Sequence, residues 1–129
     1  MASSALVVLI GLMAVGTRTE PEPRYDPATV VDFAVVVSEV RDVAGEAALN
    51  GIRLTVRTET DTTVDIYLGP SSFVKEFDIV FAKGDRLHLT GSKVKFAGGS
   101  IVLAREVSKS QTTLYLRDRQ GNPYWHAGN

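Results

Sequence analysis

The sequence contains no cysteine, which excludes disulfides, thiolate metal sites and thiol nucleophiles together. Histidine is scarce, with His88 and His126 alone, and two imidazoles without a thiolate do not close a tetrahedral zinc site. Charge of any sign is missing from Met1 to Thr17, although the chain carries 14 Lys+Arg and 15 Asp+Glu. An excess of one sign is missing as well. The formal net charge is -1 and the isoelectric point is near 6.1, so no global basic field gathers nucleic acid, and partners have to be recognised locally.

What the sequence has instead begins with the apolar run Ala5 to Gly16, about twelve residues long, the length of a secretory h-region and short of the ~20 needed to span hydrocarbon. Ala14-Val15-Gly16 places small residues where a signal peptidase cuts, before Thr17. No Lys or Arg precedes the run to form an n-region. If residues 1–17 all enter the bilayer as a helix, they reach about 26 Å, the short limit of a span. Two readings stay open. Residues 1–17 are a cleaved signal, or they are a retained anchor that meets lipid through Leu6, Val7, Val8, Leu9, Ile10, Leu12 and Met13. Both place the remainder on the extracytoplasmic, periplasmic side.

Residues 18–28 follow as a proline-rich tether of alternating charge, at whose end Tyr25 and Pro27 begin to dock. Residues 29–129 are enough for one domain with one modest core. Val30 to Val43 is rich in β-branched residues, with Val31, Phe33, Val35 and Val37 on one face. Ala34 to Val37 is apolar on both faces, so the second face is expected to meet something too. Gly51 to Thr58 and Thr63 to Leu68 alternate cleanly about the turn Glu59 to Thr62 and read as a hairpin with Arg53, Thr55, Arg57, Asp65 and Tyr67 in solvent. Gly69-Pro70-Ser71-Ser72 opens a short helix to about Phe77. After the turn Lys83-Gly84-Asp85, a fourth strand bends at Gly91, a fifth follows Gly98-Gly99, and a strand-like piece covers Thr113 to Leu116.

Three strands, a short helix and two more strands make the order of a five-stranded OB-fold barrel, in which the helix plugs the barrel end. The expected class is therefore all-β with one short helix, preceded by an N-terminal apolar helix. The segments YDPATVV, GIRLTVRT, TVDIYLGP, KGDRLHLTGSKV, IVLAREV and TLYLRDRQGNPYW resemble those of small exported bacterial OB-fold proteins. These carry a signal sequence, Tyr-x-Pro, a Leu-Gly-Pro end to strand three, and a Leu-Arg-Asp-x-x-Gly-x-Pro-x-Trp tail. The resemblance covers about Tyr25 to Trp125. It implies the fold and export but no activity, since most such proteins have none established and fold alone does not supply one.

Catalysis finds little material. His88 is expected on a solvent face, His126 lies near the end, and no carboxylate pair has a spacing that sets up general acid/base work. Asp118 in RDRQGN reads as an Asx turn to Gly121 rather than a calcium ligand. No enzyme activity, metal or cofactor is expected. An OB-fold binds on strands two and three, which nominates Arg53, Thr55, Arg57 and Tyr67, with His88, as a ligand face. Asp65, Glu59 and Asp61 surround it with negative charge, and nucleic acid is disfavoured. A solvated face with cross-strand ion pairs is the plainer reading. Tyr115, Tyr124 and Trp125 are nominated as a protein interface, with Trp125 folding back over a barrel edge as the alternative. The reading preferred is a non-catalytic accessory subunit tethered at the membrane and touching another protein of a membrane complex. Its rival is a soluble periplasmic binder of an oligonucleotide, glycan or other anion after signal cleavage.

Overall fold

The structure is a computed structural model that describes residues 22–44 and 48–126. The apolar segment 1–17, with its candidate anchor residues Leu6 to Met13, and the first part of the tether lie outside the described residues. Among the described residues no helix is long and apolar enough to cross a membrane.

Among the described residues six strands form one sheet: β1 (Val30–Val43), β2 (Gly51–Thr58), β3 (Thr63–Gly69), β4 (Arg86–Phe96), β5 (Gly99–Lys109) and β6 (Thr112–Tyr115). The hydrogen-bonded order is β3-β2-β1-β4-β5-β6, and a parallel pairing of β3 with β5 at Ile66↔Val102 and Tyr67↔Leu103 closes the first five into a barrel. This is the OB-fold-like ring that the order of elements in the sequence implied. β6 lies outside it, extending the same edge of β5 from Glu106 to Lys109.

Alternation builds the interior. Val35 and Val37 from β1, Leu54 and Val56 from β2, Ile66 and Leu68 from β3, Leu87 and Leu89 from β4, and Val102, Ala104 and Val107 from β5 are buried together. Gly91 is where β4 bends, with a register shift between Thr90 and Gly91. A Cβ there would sit 2.4 Å from the Leu103 carbonyl oxygen, so the close strand approach requires glycine. The β2–β3 hairpin turns at Asp61, whose φ is 63°, and Thr58 N donates to Thr62 O at 2.9 Å.

One expectation needs correction. The second face of β1 is not covered: Ala34 and Val36 are exposed, and they line a shallow groove between β2 and β4. The helix is short, as expected: one turn, α1 (Ser71–Val74), continued to Phe77 by the i→i+3 bonds of Glu76 N and Phe77 N. Pro70 stands at its N-cap, and the Ser71 hydroxyl binds the Asp42 carboxylate.

A second, smaller cluster lies outside the barrel. Leu49, Tyr67, Ile101 and Leu103 are buried there under Tyr25, Val94, Phe96 and Trp125. Segments from both ends of the described chain thus cover the patch where β3 meets β5.

Candidate functional site

On the outer face of β2 and β3, Arg53 stands opposite Tyr67, Thr55 opposite Asp65 and Arg57 opposite Thr63. Alternation therefore brings Arg53, Thr55 and Arg57 to one face, as expected. Their polar groups are already engaged. Arg57 pairs with Asp61 at 2.7 Å across the hairpin turn. Thr55 donates to Asp65 at 3.2 Å, and Arg41 of β1 lies 4.0 Å from the same carboxylate. The Arg53 Nε and Nη2 donate to the carbonyls of Leu49 at 3.1 Å and Ala48 at 2.8 Å, and its guanidinium carbon lies 5.5 Å from the centre of the Phe96 ring. Burial holds its pKa below the ordinary arginine value, and Arg41, directly opposite, adds to the effect.

Tyr67 is not on a solvated surface. It is 4% exposed, its hydroxyl donates to Asn50 O at 2.9 Å, and its ring meets Trp125 edge-on with centroids 6.3 Å apart. Burial pushes its phenol up to about 12. The cause lies in the covering: alternation aims Tyr67 out of the barrel, and Leu49, Tyr25 and Trp125 roof the place where it emerges. His88 is exposed on β4, opposite Ala34 of β1 and Ser108 of β5, so β1 separates it from the Arg53, Thr55 and Arg57 row. It binds Asp32, whose other carboxylate oxygen accepts from Thr90 at 2.7 Å. The Thr90 hydrogen bond first, then His88, hold the Asp32 carboxyl below its usual range.

The nominated aromatic interface divides. Tyr115 and Tyr124 are 57% and 44% exposed and free to meet a partner. Trp125 is not: it folds back onto Phe73 of α1, centroids 5.4 Å apart, and packs against both hydrophobic clusters. The position where a Cβ on Gly69 would be is 2.9 Å from its ring, so the glycine that ends β3 makes room for the indole. Arg117 completes the arrangement. It is 7% exposed, with its guanidinium carbon 5.0 Å from the Trp125 ring centre and 5.9 Å from that of Tyr25. Its Nη1 donates to Gly121 O at 2.9 Å, and desolvation holds its pKa below the ordinary value. Asp118 forms the turn, its Oδ1 accepting from Gln120 N at 3.0 Å and Asn122 N at 2.9 Å. The Tyr25, Gly69, Arg117, Asp118, Gly121 and Trp125 positions quoted for the resemblance are thus one clasp that ties the N-terminal segment and the tail to the barrel.

Sequence reasoning missed a second exposed feature. Val40, Ile52, Val74, Ile79, Val80 and Phe81 line an apolar groove beside α1, where Val80 is 76% and Val40 37% exposed. Val40 was a signal in plain view, a valine that the bulge between Val37 and Glu39 returns to the inner face, opposite Leu54, where it is nonetheless exposed. Val80 lies in the loop before β4, which carries no periodicity to read. Among the described residues no group of three or more His, Asp or Glu side chains is arranged for a metal ion.

Compared with known proteins, residues 29–114 match the sequence model of the MamS/MamX magnetosome protein family. The match takes in the barrel and stops before the tail of the clasp. No curated protein and no solved structure matches the chain.

Proposed function

The chain belongs to the MamS/MamX magnetosome protein family, and from that premise we propose that it is a non-catalytic accessory protein of the magnetosome, held at a membrane by residues 1–17 and binding another protein through its barrel. The observation that carries this reading is the apolar groove at Val40, Val74, Ile79 and Val80, in which Val40 and Val80 are exposed. Exposed apolar side chains contiguous along a groove are a liability for a free domain and an asset for one that docks. The rival, an anion binder on β2 and β3, needs free cations, whereas Arg57 is tied to Asp61 and Arg53 to two carbonyls and a ring.

Purification from native membranes tests the proposal. The expected outcome is a protein that retains Met1 to Gly16 and co-purifies, after crosslinking, with a partner that Val80→Asp releases. A monomer in the soluble fraction whose first residue is Thr17 would overturn it.

A further inference from the structure

Most cations of the domain are spent within it. Arg41, Arg57, Lys75, Arg105 and Lys109 lie in ion pairs, Arg53 is bound to carbonyls, and Arg117 is enclosed by the clasp. Three that are not spent gather at one place. Arg24, Lys93 and Lys95 line a single open cleft beside Tyr25, all three exposed and without an ion pair or hydrogen bond among the described residues. Asp26 is the one anion among the described residues that line it, and its carboxylate already accepts from Ala28 N at 2.9 Å.

The backbone explains why the two lysines reach solvent. Beyond Ser92, β4 loses β1 as a neighbour and pairs only with β5, so Lys93 and Lys95, on the face that Lys93 shares with Val102, are left uncovered while Val94 and Phe96 turn into the second cluster. Lysines on such an edge also discourage strand addition. That does not account for Arg24, which lies on no strand and is carried to the same cleft by the docking of Tyr25 and by the Asp26 N bond to Ser92 Oγ at 2.9 Å. Arg24 is seven residues beyond Thr17, a separation of at most about 25 Å in extended chain. A bilayer reached through residues 1–17 is therefore within reach of this cleft.

We propose that the Arg24, Lys93 and Lys95 cleft is a docking surface for anionic lipid headgroups, which turns this end of the barrel toward the membrane and leaves the opposite end of β4 facing away. The proposal rests on the reading of residues 1–17 as an anchor. Cations beside a membrane-attached segment gain from the negative surface potential within a Debye length, and the net excess of two positive charges would favour anionic over neutral lipid by on the order of 30-fold.

The test uses the full chain with vesicles of phosphatidylcholine alone or with phosphatidylglycerol added, reading amine acylation at single lysines by mass spectrometry. Lys93 and Lys95 should be protected several-fold on the anionic vesicles and not on the neutral ones, while Lys83, before the other end of β4, reacts equally on both. Protection should vanish near 1 M salt, where the screening length is about 3 Å. Equal labelling of Lys93 and Lys95 on both vesicle types would overturn the proposal. So would protection by a single-stranded oligonucleotide with none by vesicles. Flotation distinguishes the two layers of the argument. A chain that floats with neutral vesicles supports the anchor whatever the lysines do. One that floats only with anionic vesicles, and not as Lys93→Gln/Lys95→Gln, sinks the anchor and leaves the surface standing.

Discussion

Gly121 and Tyr25 meet so closely that a Cβ added to the glycine would fall 2.2 Å from the Tyr25 Cδ1. The contact joins the tail to the segment that precedes β1, and Gly121 has a φ of +95° as well. Gly121→Ala therefore suffers both backbone strain and overpacking, and it should lose about 2–5 kcal/mol of stability. Gly84 is the control: its φ is +93°, but nothing lies within 4 Å of an added Cβ. Gly84→Ala should lose only about 1 kcal/mol. Urea titrations of the two variants, compared at equal m-value, check the difference.

Arg117 sits against the rings of Tyr25 and Trp125 and is buried with no carboxylate in ion-pair contact among the described residues. Its hold on the clasp comes from a planar cation stacked on aromatic faces and from the bond to Gly121 O. Lysine keeps the charge and loses the plane. Arg117→Lys should cost about 2 kcal/mol, and the Trp125 fluorescence of the folded state should shift toward that of a solvated indole. An unshifted emission with unchanged stability would show that the stacking contributes nothing.

The clasp also marks where sequence reading stops. Strict alternation in Gly51 to Thr58 and Thr63 to Leu68 made the hairpin and its inward set legible, and Gly91 announced the bend in β4. Alternation states which face a residue takes; it does not state whether that face is covered. Alternation alone therefore puts Tyr67 in solvent, whereas residues distant in sequence, Tyr25, Leu49 and Trp125, roof it. The same limit applies to Arg117, since an arginine between Leu116 and Asp118 looks like surface until the two rings that enclose it are placed. Trp125 was legible only as two alternatives, interface or edge cover, and the room left by Gly69 decides for cover.

Acid should weaken the domain through its carboxylates. The Asp118 carboxyl is held below its usual range mainly by the Asn122 side chain, Asp85 by Lys109, Asp42 by Ser71 and Asp32 by Thr90. A carboxyl whose pKa is lower when folded binds fewer protons there than in the unfolded chain. Its contribution is present above the unfolded value, about 3.9, and is lost as pH falls through the folded value. Denaturation midpoints should drop between about pH 5 and pH 2, and Asp118→Asn should make that decline shallower. A variant with an unchanged slope would mean that the turn at Asp118 contributes nothing to the acid response.

At the alkaline end the sign reverses, and one tyrosine carries the effect. Tyr67 is buried, its hydroxyl donates to Asn50 O, and its phenol is pushed up to about 12. The unfolded chain would release that proton at about 10, so above that value the unfolded state holds fewer protons than the folded one. Stability from this group is full below about pH 10, and it is lost as pH rises through the folded value of about 12. Tyr67→Phe removes the hydrogen bond, costing about 1 kcal/mol at neutral pH, but it should flatten this part of the alkaline decline. Phenolate absorbance of the folded wild type should show a late step, one tyrosine titrating at about 12. If that late step is absent, or persists in Tyr67→Phe, the roof over β3 is not closed as described.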